Sequence, residues 1–132
     1  MRTSIILAIG IGIVALATGP AQAQAKDPEG VNPTHFLCYR VSPVSKLKPT
    51  SVKLQDQFGA SGSRLGNPVM LCTPVSKNGE PVKDKRTHLT CYTVAPKKVG
   101  KRVVVVHQLG KQELTVVSSY MLCLPSLKEV LK

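Results

Sequence analysis

Two histidine–cysteine pairs stand at equal spacing in this chain, His35-x-x-Cys38 and His88-x-x-Cys91, and Cys72 and Cys123 complete a set of four cysteines. Imidazole with thiolate is a zinc-ligating combination, so a metal site is the first chemistry to weigh. The spacing argues against it. In an extended segment residues three apart face opposite sides, so one H-x-x-C does not chelate. There is no C-x-x-C, and the cysteines within each copy lie more than 30 residues apart (34 and 32), unlike a zinc knuckle or a thiol-redox motif. The expectation is structural: the cysteines form two disulfides and each histidine caps the strand it begins. No cofactor or metal is implied.

Other catalytic groups are no better organised. The acids Asp27, Glu29, Asp56, Glu80, Asp84, Glu113 and Glu129 are scattered, and no G-x-S-x-G is present. His107 reads as a surface position. Cations are more concentrated: Lys46 and Lys48 in one stretch, Lys97, Lys98, Lys101 and Arg102 in another, with Lys83, Lys85 and Arg86 between. The residues point to a non-catalytic protein with basic loops rather than to an enzyme.

The elements that hold these residues come in duplicate. Thr34–Pro43 returns as Thr87–Pro96 with six of ten positions identical; Gln57-Phe58-Gly59 returns as Gln108-Leu109-Gly110, and Met70–Pro74 as Met121–Pro125. The offset falls from 53 to 51, so the second copy lacks two residues between Pro96 and Val103. A repeat fixes the architecture before any other reading. Its apolar runs are short, β-branched and broken by Gly and Pro, as strands are. Four strands per copy are predicted: Phe36–Val41 with Leu89–Val94, Val52–Phe58 with Val103–Leu109, Ser61–Leu65 with Gln112–Val117, and Val69–Thr73 with Tyr120–Leu124. Gly59 and Gly110 supply hairpin turns. Pro74 and Pro125 are expected to end their strands. The predicted class is all-β, a β-sandwich or small barrel of about eight short strands, with the two copies sharing one core about a pseudo-two-fold axis. A short helical turn starting on Ser126 is also expected in the tail Ser126–Lys132, with Leu127, Val130 and Leu131 on one side.

Four cysteines allow three pairings. Two respect the equivalence of the copies, Cys38–Cys72 with Cys91–Cys123 and the exchanged Cys38–Cys123 with Cys72–Cys91. The first is preferred, because a unit that duplicated carried its own bridge.

The first residues read as a leader. Met1-Arg2-Thr3-Ser4 is basic, Ile5–Ala17 is 13 uncharged residues, and small residues follow up to Ala23 and Ala25. That is the layout of a secretory signal peptide; a membrane span needs about 18 to 20 apolar residues. The expected organisation is a signal peptide at 1–23, a flexible lead-in at 24–33, one domain over 34–125 built of repeats 34–77 and 87–128, and a tail at 126–132. Export places the cysteines in an oxidising compartment, periplasmic or extracellular. Across the whole chain 18 basic side chains face 7 acidic ones, a net charge of +11. Such an excess favours polyanions. Aromatic residues are too few for base-stacking platforms, so acidic polysaccharides or envelope components are the expected partners rather than nucleic acid. Asn32-Pro33-Thr34 is not a glycosylation acceptor, because proline occupies its middle position.

The pattern H-x-x-C-Y-x-V … Q-[FL]-G … [ML]-L-C-x-P, covering Thr34 to Pro125, resembles a repeat that occurs in tandem in exported bacterial proteins, in a family of unknown function. That resemblance implies a β-rich extracellular or periplasmic module and transfers no catalytic residue. The sequence as a whole reads as a basic, secreted, disulfide-stabilised binding or structural module contacting anionic cell-surface polymers. The alternatives are a self-associating adhesive envelope protein and, further off, an inhibitor of secreted hydrolases or an enzyme.

Overall fold

Strand-forming segments punctuated by Gly and Pro give eight antiparallel strands in the computed structural model, which describes residues 26–132. They are β1 (His35–Arg40), β2 (Thr50–Asp56), β3 (Gly59–Leu65), β4 (Met70–Val75), β5 (His88–Thr93), β6 (Lys98–His107), β7 (Gly110–Ser118) and β8 (Met121–Ser126). The expected signal peptide lies outside the described residues. Among the described residues no helix is long and apolar enough to cross a membrane.

The strands make one four-stranded sheet in the order β1-β4-β5-β8 and two separate hairpins, β2–β3 and β6–β7. The class is all-β as expected, and the sheets do not close into a barrel. Each copy gives its first and fourth strands to the sheet and its second and third to a hairpin. The strand order corrects the expected symmetry. β5 is the repeat of β1 and β8 the repeat of β4, so the copies are related by a step along the sheet and not by a two-fold axis. Copy one ends where copy two begins, at the β4–β5 seam.

Two further expectations change. The prolines do not end their strands: Pro74 and Pro125 sit one residue inside β4 and β8, opposite Phe36 and Leu89. Val41 N–H donates to the Val69 carbonyl at 3.1 Å, and Val94 N–H to the Tyr120 carbonyl at 3.1 Å. Hydrogen-bonded pairs alternate along an antiparallel ladder, so both prolines fall at positions where no donor faces their own partner strand. Pro74 would instead owe its missing N–H to β5, and the β4–β5 ladder is accordingly short: Met70↔Cys91, Leu71↔Thr90 and Cys72↔Leu89. The tail forms no helix. β8 runs through Ser126, whose hydroxyl meets the Thr90 hydroxyl at 2.7 Å and donates to the His88 carbonyl at 3.4 Å, so it does not cap a turn.

Both hairpins turn at a glycine with positive φ, Gly59 at 110° and Gly110 at 125°. The residue three before each glycine closes the turn with its side chain. Asp56 Oδ1 accepts from Phe58 N–H at 2.8 Å, and His107 Nδ1 accepts from Leu109 N–H at 3.0 Å. These two aligned positions differ in residue type yet do the same work.

The core is thin. Among the described residues Leu65, Cys72 and Cys91 are its buried apolar side chains, with His88 the buried polar one, while Leu114, Val117, Tyr120 and Leu124 are exposed. Burial this slight leaves the covalent bridges as a large share of what holds the chain folded.

Candidate functional site

The cysteines pair within copies, Cys38–Cys72 and Cys91–Cys123, with Cα–Cα distances of 3.9 and 4.0 Å. Each bridge joins directly opposed residues of neighbouring strands. By the same alternation these are the non-hydrogen-bonded pairs, where cross-strand side chains come closest. Cys72 and Cys91 are 2% and 1% exposed, and their sulfurs touch across the seam at 3.9 Å. Four sulfurs therefore run in a row over the sheet. No free thiol remains in the described residues, so the H-x-x-C pairs hold no thiolate to offer a metal or a redox partner. His35 and His88 open β1 and β5, and the expected strand-capping bond to neighbouring backbone is made by His88, whereas the bond of His35 is to the Glu80 side chain. His88 Nδ1 lies 2.8 Å from the Arg86 carbonyl, and His35 Nε2 lies 3.0 Å from Glu80 Oε2.

Glu80 is a residue the sequence does not single out. It follows the Asn78-Gly79 turn, where φ is 52° and 78°, and gathers three partners, one local and two from distant parts of the chain. Lys77 Nζ donates to it at 2.8 Å, the Gln108 amide at 3.2 Å, and the His35 ring meets it at 3.0 Å. It thus ties the start of β1 to the tip of the β6–β7 hairpin. Lys77 first, then Gln108 and His35, favour the charged form and lower its pKa from 4.5 to about 2. A depressed carboxyl pKa contributes stability that is complete above 4.5 and lost as the pH falls through about 2. Glu80→Gln is accordingly expected to lower the unfolding midpoint at neutral pH and to converge with the parent protein near pH 2. Thermal denaturation across an acid series reads this directly, and a constant gap between the two proteins contradicts it.

Asp84 plays a local version of this part. Its Oδ1 accepts from Arg86 N–H at 2.9 Å and Thr87 N–H at 3.0 Å, and the Thr87 side-chain hydroxyl first, then these backbone bonds, hold its carboxyl below the usual range. Asn32 does the same in copy one, accepting from Thr34 N–H at 3.0 Å. Each copy thus begins with a side chain that satisfies the N–H just before its first strand.

The expected basic loops divide. Lys46 and Lys48 lie exposed before β2. Lys97 is committed inward, its Nζ donating to the Phe58 carbonyl at 2.9 Å where the tip of the β2–β3 hairpin meets copy two. Lys98, Lys101 and Arg102 belong to a strand and not to a loop, because β6 begins at Lys98 and absorbs an irregularity between Lys98 and Lys101 around Gly100, where φ is 68°. All three are exposed. Opposed residues share a face, so Arg102, Val104 and Val106 lie with Thr115, Glu113 and Lys111 on the outer side of the hairpin. Val104 and Val106 are 53% and 59% exposed. The Arg102–Glu113 ion pair across this face is long, at 3.9 Å, and open to solvent, which leaves both charges largely available to water and ions.

Beside Lys97 is a groove of about 380 Å³ between the β2–β3 hairpin and the end of the sheet. Leu54, Phe58, Val94, Val116 and Met121 line it, making it mainly apolar. No group of three or more histidine, cysteine or acidic side chains able to hold a metal occurs among the described residues.

Fold, bridges and duplicated strands together define a disulfide-stapled, all-β tandem-repeat module. The chain belongs to the DUF7450 family, a repeat of unknown function, whose profile matches residues 15–125. No curated protein and no solved structure matches the chain.

Proposed function

We propose that the protein is an exported, non-catalytic module of the bacterial envelope or its surroundings, and that the exposed side of the β6–β7 hairpin binds anionic polysaccharide. The observation that carries this reading is the placement of Arg102 and Lys111 on the outer side of a ribbon that stands apart from the sheet, with Val104 and Val106 between them and Lys98 and Lys101 exposed at the base of the same ribbon. A net charge of +11 adds a long-range attraction for polyanions. Valines between the cations give a carbohydrate backbone apolar surface to lie on. A non-catalytic role is supported by the engagement of the polar groups: the cysteines are bridged, and Asp56, Glu80 and Asp84 serve turns and tethers. Export is supported by the leader-like first residues together with two disulfides, which persist in oxidising compartments.

On a heparin column at low salt the protein is expected to be retained. Lys98, Lys101 and Arg102 changed together to Ala should elute at distinctly lower salt, with the salt dependence of log affinity reduced by roughly two to three. Lys97 is left in place because its contact with Phe58 is structural. Unchanged elution of the triple variant overturns this surface as the binding site.

A further inference from the structure

The relation between the copies leaves two sheet edges that match each other. At the internal seam β4 bonds to β5 through Met70↔Cys91 and Cys72↔Leu89, and Val69 N–H adds a bond to the Cys91 carbonyl at 2.8 Å. The repeat equivalents of β4 and β5 are β8 and β1, which are the outer strands of the sheet. Met121 and Cys123 stand where Met70 and Cys72 stand, and Phe36 and Cys38 where Leu89 and Cys91 stand.

The backbone groups match as well as the sequence. Cys38 and Cys123 are in non-hydrogen-bonded pairs with their inner neighbours, so their N–H and C=O groups point to the open edge, as do those of Phe36 and Met121. Both junctions stop at the same places. Pro125 offers no donor at the end of β8, as Pro74 offers none to β5, and Asn32 occupies the Thr34 N–H as Asp84 occupies that of Thr87. Side-chain exposure follows the same division. Cys72 and Cys91 at the seam are 2% and 1% exposed, whereas Cys38 and Cys123 at the edges are exposed, along with Leu37 at 47% and Leu124 at 41%. An unpaired strand edge is a template for another chain.

We infer that a second copy of this chain pairs its β1 with β8 of the first, in the register Met121↔Cys38 and Cys123↔Phe36, repeating the internal seam between molecules. Tyr120 N–H then serves the Cys38 carbonyl as Val69 serves that of Cys91, and the row of sulfurs continues from one molecule into the next. The contact is heterologous: each molecule uses one edge as donor surface and the other as acceptor, so nothing limits growth to two. A ladder of three residue pairs is short, and the association is therefore weak and concentration-dependent. It is independent of polysaccharide binding, since it uses the opposite set of strands.

Sedimentation of the oxidised protein over a wide concentration range, with hydrogen exchange followed residue by residue, tests this. The weight-average mass should rise past that of a dimer without a plateau. As it rises, the Phe36, Cys38, Met121 and Cys123 amides should become protected, while amides of the β6–β7 hairpin stay unchanged. Leu37→Lys puts a charge into the contact at an exposed position, outside the hydrogen-bonding path of the junction, and should raise the concentration needed by about tenfold. Met121→Pro removes an outward donor and should abolish the effect; Leu37→Lys keeps the test open if that variant misfolds. A monomer at all concentrations, or a dimer that grows no further, overturns the inference.

Discussion

Reduction of the two bridges is expected to abolish cooperative unfolding at neutral pH and room temperature. Each bridge closes a loop of just over 30 residues, with sequence separations of 34 and 32. In the chain-entropy description such a loop contributes roughly 3.5 to 4 kcal/mol by restricting the unfolded chain. Small domains have only about 5 to 15 kcal/mol in total. With so few side chains buried, the total falls at the low end of that range, and loss of both bridges, together roughly 7 to 8 kcal/mol, exceeds it. Cys38 and Cys72 changed together to Ala should lower the unfolding free energy by about 4 kcal/mol. The Cys91/Cys123 pair should do the same, because the loops are nearly equal. Urea unfolding followed by circular dichroism, with and without reductant, measures both effects. A reduced protein that unfolds at the oxidised midpoint contradicts this account of its stability.

The second large effect is expected at Leu65. At the end of β3, opposite Thr50, it is 7% exposed and is the one large aliphatic side chain buried among the described residues. Leu65→Ala removes that side chain where little else fills the space, and should cost about 2 to 3 kcal/mol. Its repeat equivalent, Val116, faces the groove and is half-buried. Val116→Ala is smaller and less buried, and should cost about 1 kcal/mol or less. Chemical denaturation of both variants with bridges intact compares them. Equal losses would mean that the hairpins are packed alike, contrary to the exposure of Val104, Val106, Leu114 and Val117 on β6–β7.

Much of this fold is legible in the sequence because duplication writes it twice. Strand positions, hairpin glycines and the preferred cysteine pairing all follow from aligning one copy on the other, and the structure has each of them. What duplication does not encode is how the copies meet. A two-fold axis and a step along a sheet are equally compatible with the same repeated text; the choice is made by β4 and β5, whose outward-facing backbone groups satisfy one another. The prolines mislead for a related reason. Their missing donors limit pairing on one side only, and the other ladder carries the strand past them. The start of β6 is hidden because Lys97-Lys98 and Lys101-Arg102 look like loop residues, yet the positive φ of Gly100 lets the strand absorb an irregularity there.

The tethers are the least legible part. Glu80 sits in a linker with no counterpart in the repeat, and its long-range partners His35 and Gln108 are near it only after folding. Asp56 and His107 differ in type, so comparing the copies marks them as variable. Their common feature, a side-chain acceptor two residues before the N–H it receives, is visible only once the turn is drawn.

The central claim is that the copies stand in series on one sheet, joined at the β4–β5 seam. Non-hydrogen-bonded pairs bring opposed Cα hydrogens close together, so they give strong cross-peaks in a nuclear Overhauser spectrum. Leu71 and Thr90 form such a pair across the seam. A strong Hα–Hα cross-peak between Leu71 and Thr90, alongside Cys38 with Cys72 and Cys91 with Cys123, is the predicted result. Its absence, with cross-peaks instead linking β1 to β5 or β4 to β8, would contradict the arrangement in series.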